Sequence, residues 1–321
     1  MADRLIAVVG SLNADLVIPV RACPRPGETV LGGTPARHLG GKGANQAVAA
    51  ARAGGRVAMV GRVGSDDAGD ALVAGLAGDG VDVAAVTRDA GPSGFATIFV
   101  AADGENAIVV VPGANATLAP AHVADLPAHT ALVVLQLETP LATVAAAIER
   151  AAQCHIPVLL NAAPATADLP AAVLRAVDCL VVNEHEAATL AGTELATIGD
   201  APEAWIAIAG DLCHRGCRRV VITRGARGLV WATTADHDRP DHAATGHLAA
   251  FAVDAIDTTA AGDAFCGALA AQLVAGIPWA TALRFASAAG ALATTRRGAQ
   301  SSLPTAGELD RFIDARKTTM L

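Results

Sequence analysis

Cys179-Leu180-Val181-Val182-Asn183-Glu184-His185-Glu186 reads as a short apolar strand that runs straight into the first turn of a helix. Helical patterns follow at Glu184–Ala191 and Pro202–Arg215, and Arg219–Thr223 is a second short apolar run. Strand, helices, strand is the unit of a parallel sheet covered by helices. The rhythm continues outward in both directions. Strands are expected at Leu5–Val9, Arg56–Val60, Ala131–Leu135 and Val158–Asn161, with helices at Asn45–Ala53, Ala68–Gly78 and Leu141–Gln153. The pattern predicts an α/β fold with a mostly parallel central sheet.

Two segments break that rhythm. Residues 15–38 and 94–111 alternate apolar and polar side chains like antiparallel hairpin strands. They predict a small sheet projecting from the main one, placed as a lid over the crevice at the strands' carboxyl ends, where open α/β sheets bind ligands. No repeat, charge block or low-complexity linker divides the chain, so residues 1–321 are expected to form one domain with the lid inserted.

At 321 residues the chain can bury a large core. Its net charge of −8 argues against nucleic acid as a partner, because no basic stripe is present to neutralise a phosphate backbone. A phosphorylated small molecule stays open, since backbone N–H groups bind phosphate without net positive charge. No apolar run reaches membrane length, and the apolar stretch Leu5–Val9 is too short for a signal-peptide core. The six cysteines are scattered, as expected for reduced thiols in a cytoplasmic enzyme. Cys213 and Cys217 flank His214, but no second ligand pair with zinc-finger spacing accompanies them.

The chemistry concentrates at Asp257-Thr258-Thr259-Ala260-Ala261-Gly262-Asp263-Ala264-Phe265. Small residues at 260–262 let backbone N–H groups converge, and a helix from about Asp263 to Ala275 aims its positive end at the same point. A carboxylate in such an anion site would repel a phosphate unless its task is to take a proton. The arrangement suits phosphoryl transfer, with Asp263 deprotonating the attacking hydroxyl. The plainer reading is an acid favourably placed on a helix dipole.

Five further stretches carry candidate chemistry, most of them where strands end. Gly40-Gly41-Lys42-Gly43-Ala44-Asn45-Gln46 is not a Walker loop, because Ala36 stands where its first glycine belongs and Gly43 where its hydroxyl belongs. It offers flexible backbone, a cation and side-chain amide groups, suited to gripping several hydroxyls, or simply a turn with helix-capping glycines. Asn13 and Asp15 alternate just past the first strand and can meet a vicinal diol, although both are also common turn formers. Glu138 follows the apolar run Val133-Val134-Leu135-Gln136-Leu137 as a further charge at a strand end. Asn183 and Glu186 share one face of a helix start and can hold the water shell of Mg²⁺, form a capping box, or do both. Thr223-Arg224-Gly225-Ala226-Arg227-Gly228 is a candidate nucleotide-contacting turn.

Taken in order, Asn13–Asp15, Pro26–Val30, Gly40–Ala47, Gly113–Ala116, Asn183–Glu186, Thr223–Gly228, Asp257–Gly267 and Gly298–Gln300 resemble the ribokinase-like carbohydrate kinases, the PfkB group, nearly end to end. The resemblance implies a three-layer α/β sandwich with a β-lid that pairs with a second subunit's lid in a homodimer. It implies ATP-dependent phosphorylation of the 5-hydroxyl of ribose. By position, Asn13, Asp15, Gly41, Lys42, Gly43, Asn45 and Glu138 would hold the sugar, with Ala96 and Ile98 as apolar lid contacts and Asp263 as base. Asn183, Thr223, Arg224, Gly225, Ala226, Arg227, Gly228, Gly262 and Ser287 would line the ATP site, and Glu186 would reach Mg²⁺ through water. The resemblance also implies a monovalent cation site, usually for potassium, at Asp257, Thr259, Ala293, Arg296, Gly298 and Ser302. Ser287 stands where many relatives carry a larger polar residue, and Thr233–Ala250 reads as a solvated loop longer than the family pattern needs, the alternative being a metal role for His237, His242 and His247.

Other readings are a kinase for deoxyribose or a nucleoside, a non-catalytic sugar sensor on the same scaffold, and a nicotinamide-dependent dehydrogenase. Intact Gly262 and Asp263 argue against the sensor, and the missing glycine fingerprint after the first strand argues against the dehydrogenase.

Overall fold

The computed structural model describes residues 4–101, 106–166, 169–234 and 244–317. β1 (Leu5–Val9) is buried along its whole length, as a strand covered on both faces must be. The chain then detours through β2 (Asn13–Pro19) and β3 (Ala36–Gly40) before α1 (Lys42–Arg52) and β4 (Val57–Gly64). After α2 (Asp67–Gly78) and β5 (Asp82–Asp89), a second detour forms β6 (Gly94–Val100) and β7 (Asn106–Val111). Strands and helices then alternate: β8 (Thr130–Leu135), α3 (Leu141–Gln153), β9 (Val158–Asn161), α4 (Ala171–Arg175) and β10 (Cys179–Asn183). They continue with α5 (Glu184–Ala191), α6 (Pro202–His214) and β11 (Arg219–Thr223). The hairpin β12 (Leu229–Thr233) and β13 (Ala244–Leu248) precedes α7 (Ala261–Val274), α8 (Trp279–Ala293) and α9 (Ala306–Lys317).

Nine strands form the main sheet in the order β13-β12-β11-β10-β9-β8-β1-β4-β5, parallel except for the β11–β12–β13 edge. β1 pairs with β4 on one side and β8 on the other, so the chain winds away from it in both directions. The crevice beyond the carboxyl ends of β1 and β8 is therefore the topological switch point. Alternate side chains of β8 feed opposite cores: Leu132 and Val134 join one layer, Val133 and Leu135 the other. Each such side chain, fully buried, contributes about 1.5–3 kcal/mol.

α7 is buried from Asp263 through Ala271, so it lies inside the molecule. Its neighbour α1 comes unusually close. A Cβ on Gly267 would stand 2.5 Å from the Gln46 carbonyl oxygen and from the Ala49 Cβ, so only glycine permits this crossing. That approach sets Asn45 and Gln46 against Asp263.

Four strands form the small sheet in the order β3-β2-β6-β7. The expectation of antiparallel hairpins holds for β2–β3 and β6–β7, but β2 and β6 run parallel. β5 escapes a hydropathy reading because Asp82, Arg88 and Asp89 punctuate an edge strand that is half solvated. Helix α1 starts at Lys42 rather than Asn45, because Gly41 (φ 88°) turns the chain where a side chain would strike the backbone of Ser11 and Asn13. The expected loop at 233–250 is corrected in part. Residues 244–248 pair with β12 as a strand carrying His247 exposed, while His237 and His242 lie outside the described residues. Among the described residues no helix is long and apolar enough to cross a membrane.

Candidate active site

Asp263, in the first turn of α7, is 6 % exposed. Its Oδ2 accepts from Asn45 Nδ2 and its Oδ1 from Gln46 Nε2, both at 2.9 Å. Burial pushes its carboxyl up, against the opposing pull of Lys42 and the two amides, while Glu138 adds to the rise. Ala260, just before the helix, holds the left-handed conformation (φ 57°) and offers no side-chain cap. That conformation costs a non-glycine residue about 1–2 kcal/mol, and it bends the chain so that the first turn of α7 opens on a cavity of about 200 Å³. Lys42, Asn183, Glu186, Thr223 and Gly262 line the same cavity with Asp263. Burial works against the Lys42 charge, but Asp263, Glu138 and Glu186 outweigh it and hold the ammonium protonated more firmly than usual.

Asn13 and Asp15 stand on one face of β2, and the register places Ala96 beside Asp15 and Ile98 beside Val17 on the next strand. These sequence-derived sugar contacts are thus brought together by the lid sheet. Asn13 Oδ1 accepts from Asn115 Nδ2 at 2.7 Å, and Asn115 Oδ1 accepts from the Leu12 N–H. The Asp15 carboxylate fills the space left by the missing side chain of Gly40. Burial, then Glu138 and Asp263, push its pKa up to about 7. Glu138 Oε2 accepts from Ser11 Oγ (2.6 Å) and from the Lys42 N–H (3.0 Å), and the Gly43 N–H reaches Ser11 Oγ at 3.3 Å.

On the opposite side, Asn183 and Glu186 form the capping box of α5. Asn183 Oδ1 accepts from the Glu186 N–H, and Glu186 Oε2 accepts from the Asn183 N–H. Burial raises the Glu186 carboxyl, opposed by that N–H and by Lys42. Within Thr223–Gly228 only Thr223 lines the cavity. Arg224 is buried against Glu184 and the ring of Trp205, and Arg227 binds Glu184 and Asp200. Gly225 and Ala226 are exposed, Gly228 is buried, and Ser287 is half-buried on α8.

The loop before α7 is braced by Asp257, whose Oδ1 accepts from the Thr259 N–H and Oδ2 from the Gly298 N–H, each at 2.9 Å. Burial opposes its charge, but these N–H groups and Arg297 hold its carboxyl below the usual range. The Arg296 side chain is turned away to Glu308, so only its backbone can face the loop. Ser302 is buried and donates to the Ala299 carbonyl, and the Ala293 carbonyl accepts from the Arg296 N–H. Cys213 and Cys217 are buried and donate to the Ala232 and Leu174 carbonyls, and burial pushes both thiols up, to about 11 and about 12.

Sequence reasoning missed a run of buried amides behind the site. Gln136 Nε2 donates to Gln46 Oε1, and Gln46 Nε2 donates to Asn161 Oδ1 as well as to Asp263. The signal was there in principle: Gln136 interrupts an apolar run, and Asn161 ends one.

The sequence model of the pfkB family carbohydrate kinases matches residues 3–306. Ribokinase from Haemophilus influenzae is 39 % identical over 97 % of this chain and 99 % of its own length. Deoxyribokinase from Salmonella typhi is 35 % identical over 96 % of this chain and 98 % of its own. Among solved structures, Arabidopsis thaliana ribokinase complexed with ribose and ATP superposes with a TM-score of 0.84 at 28 % identity, covering 97 % of this chain and 99 % of that one. A family match over nearly the whole length, joined to a cavity at the carboxyl ends of β9, β10 and β11 with an acid at an uncapped helix terminus, places this chain in the pfkB family of carbohydrate kinases.

Proposed function

We propose that this protein is a ribokinase that transfers the γ-phosphoryl group of ATP to the 5-hydroxyl of D-ribose. The observation that carries the mechanism is Asp263 at the bare amino end of α7, facing one cavity with Lys42, Asn183 and Glu186. Asn13, Asp15, Gly41, Asn45 and Glu138 hold the sugar, with Ala96 and Ile98 closing over it. Asp263 takes the proton of the 5-hydroxyl as that oxygen bonds to the γ-phosphorus. The bond from this phosphorus to the β–γ bridging oxygen breaks, and ADP leaves. Negative charge on the migrating group meets the Ala260–Gly262 turn, the helix terminus and Lys42. The ATP chain lies past Asn183, Thr223 and Gly262, and the Gly225–Gly228 turn and Ser287 stand further out toward the nucleoside.

Glu186 suits Mg²⁺ held through water, because its raised carboxyl marks a buried charge that a cation would relieve. Bound there, Mg²⁺ would neutralise nucleotide phosphate charge. One carboxylate and several neutral oxygens at Asp257, Thr259, Ala293, Arg296, Gly298 and Ser302 suit a potassium ion that braces the anion turn. The homodimer is supported by β7, an edge strand on which Ile108, Val109, Val110 and Val111 are 47–58 % exposed. An unpaired apolar edge of this kind invites a partner strand, and a second lid supplies one.

A coupled assay of ADP formation across ribose, deoxyribose, other pentoses and nucleosides tests the reading. Ribose should give the highest kcat/KM. The resemblance to deoxyribokinase makes deoxyribose the competitor to measure first, and a higher kcat/KM for it would reassign the substrate.

A further inference from the structure

The cavity explains what Asp263 faces; it does not explain why three buried amides stand behind that residue in so apolar a core. Gln46 is fully buried on α1, Gln136 is 1 % exposed after β8, and Asn161 is 8 % exposed at the end of β9. The backbone fixes the orientation of Asn161. Asn161 Nδ2 donates to the Val181 carbonyl at 3.1 Å, which turns Asn161 Oδ1 toward Gln46. Gln136 Nε2 donates to Gln46 Oε1 at 2.7 Å. Asn161 therefore demands that Gln46 turn its NH₂ toward Asn161 and Asp263, and Gln46 Oε1 in turn takes Gln136 as its donor.

The arrangement leaves Gln136 Oε1 buried with no hydrogen-bond partner, lodged where a side chain on residue 10 would stand if Gly10 were not glycine. A buried amide oxygen without a partner is destabilising. Apolar side chains of the same shape would fill this space without that penalty. What the chain of amides secures is a single orientation of Gln46, with its donor aimed at Asp263 Oδ1.

We infer that Gln46 is a positioning residue for Asp263, oriented by Asn161 and braced by the donor from Gln136, and that the three amides keep this buried carboxyl ionised and correctly turned near neutral pH. The inference rests on the assignment of Asp263 as the base. An ionised carboxylate only accepts hydrogen bonds, so a Gln46 turned the other way would set its oxygen against Asp263. That would favour the protonated, inactive form.

The experiment is the pH dependence of kcat/KM and kcat for the purified enzyme and for Gln46→Met, Gln46→Glu, Gln136→Met and Asp263→Asn, with thermal melting of each. Gln46→Met removes one donor to a buried charge and should move the acidic limb of the profile up by about 1–2 pH units. Its kcat should approach the unmodified value at high pH, with the KM values for ribose and ATP changed little. Gln46→Glu preserves shape but sets a second carboxyl beside Asp263, and should move the limb further. Gln136→Met touches neither Asp263 nor the cavity, and should shift the limb in the same direction by less.

A role in packing alone predicts a different result: kcat depressed equally at every pH, with Gln46→Glu the milder change. That pattern, or an unmoved limb in Gln136→Met, overturns the inference while an inactive Asp263→Asn leaves the base standing. Near-normal turnover in Asp263→Asn removes the base assignment itself. Should Gln46→Met fail to fold, Gln136→Met decides the matter.

Discussion

Three helix amino termini converge on the cavity, and each is finished differently. At α1 the Lys42 N–H is met by a carboxylate from the bend after β8, Glu138. At α5 the helix caps itself, with Asn183 and Glu186 exchanging hydrogen bonds. At α7 no side chain caps the terminus, and an alanine is held in a left-handed conformation beside it. A missing cap costs about 0.5–2 kcal/mol, so the bare end is the one the fold leaves to a ligand. The capped ends are structural supports whose side chains also line the cavity.

The contrast breaks most sharply at Asp263, the only one of these acids placed to take a proton inside the open terminus. Asp263→Asn should lower kcat by roughly 10²–10⁴, with the fold and ribose affinity largely kept. Stopped-flow or coupled kinetics together with circular dichroism measure both, and near-normal turnover would return Asp263 to the role of a helix-dipole partner. On the sugar side the effect should appear in binding instead. Loss of one charged acceptor is worth about 1.5–3 kcal/mol, so Asp15→Asn should raise the ribose KM roughly 10- to 100-fold and leave the ATP KM alone. A rise in the ATP KM alone would move Asp15 out of the sugar site.

Asp15 also carries a pH signature. Its folded pKa of about 7 stands above the ordinary aspartate value of 3.8, so folding favours its protonated form. The stability this gives the ligand-free protein is fully present below about pH 4 and is lost as pH rises through 7. Asp15→Asn should therefore melt higher than the unmodified protein at pH 8 and no higher at pH 4. Ribose, offering hydroxyl donors, should bind the ionised form and release protons near pH 7, seen by calorimetry in buffers of different ionisation enthalpy. Equal melting differences at both pH values would mean that Asp15 is ionised at little cost.

Much of this was legible in the chain and some was not, for physical reasons. The strands from Val158–Asn161 to Arg219–Thr223 announced themselves because a parallel strand buried on both faces has no polar side to blur its pattern. β5 did not, being a half-solvated edge. The parallel pairing of β2 with β6 joins segments far apart in sequence, and alternation within each gives no sign of direction. The acids and amides at strand ends could be named as candidates from position alone. The turning of Arg224 into Glu184 and Trp205 could not, because it depends on how α5 and α6 pack. The amide run through Gln46 needed the close crossing at Gly267, which is a three-dimensional fact.

The self-capped terminus should respond more gently than the open one. Glu186→Gln keeps the size of the side chain and one acceptor oxygen for the Asn183 N–H, but removes the charge offered to Mg²⁺. Loss of the charged partner in a water-mediated contact should raise the Mg²⁺ concentration needed for half-maximal rate several-fold, with kcat at saturating Mg²⁺ reduced by about tenfold or less. Titrating Mg²⁺ at fixed ATP separates the two. An unchanged Mg²⁺ requirement with a lower melting temperature would leave Glu186 as a cap and nothing more.

The smallest expected effect lies behind the open terminus. Asp257 ties the Thr259 N–H to the Gly298 N–H, and so links the turn that shapes Ala260 to the loop after α8. Arg52, from the helix that carries Lys42, donates to the Gln300 and Leu303 carbonyls at the far end of that loop. The loop is thus held at both ends, and its remaining oxygens are mostly neutral. A large monovalent cation tolerates such a cage, whereas Mg²⁺ demands tight octahedral geometry and keeps its waters. Because Asp257 already braces the turn through two N–H groups, the cation is expected to refine the anion site rather than create it. Potassium should therefore raise kcat a few-fold over sodium or tetramethylammonium at matched ionic strength and saturating Mg²⁺ and ribose, through preorganisation of the turn. Asp257→Ala should lower the basal rate by loosening the turn and should also flatten the response to potassium. Equal rates in all three salts would confine Asp257 to its two hydrogen bonds, and the loop to closing the path into α9.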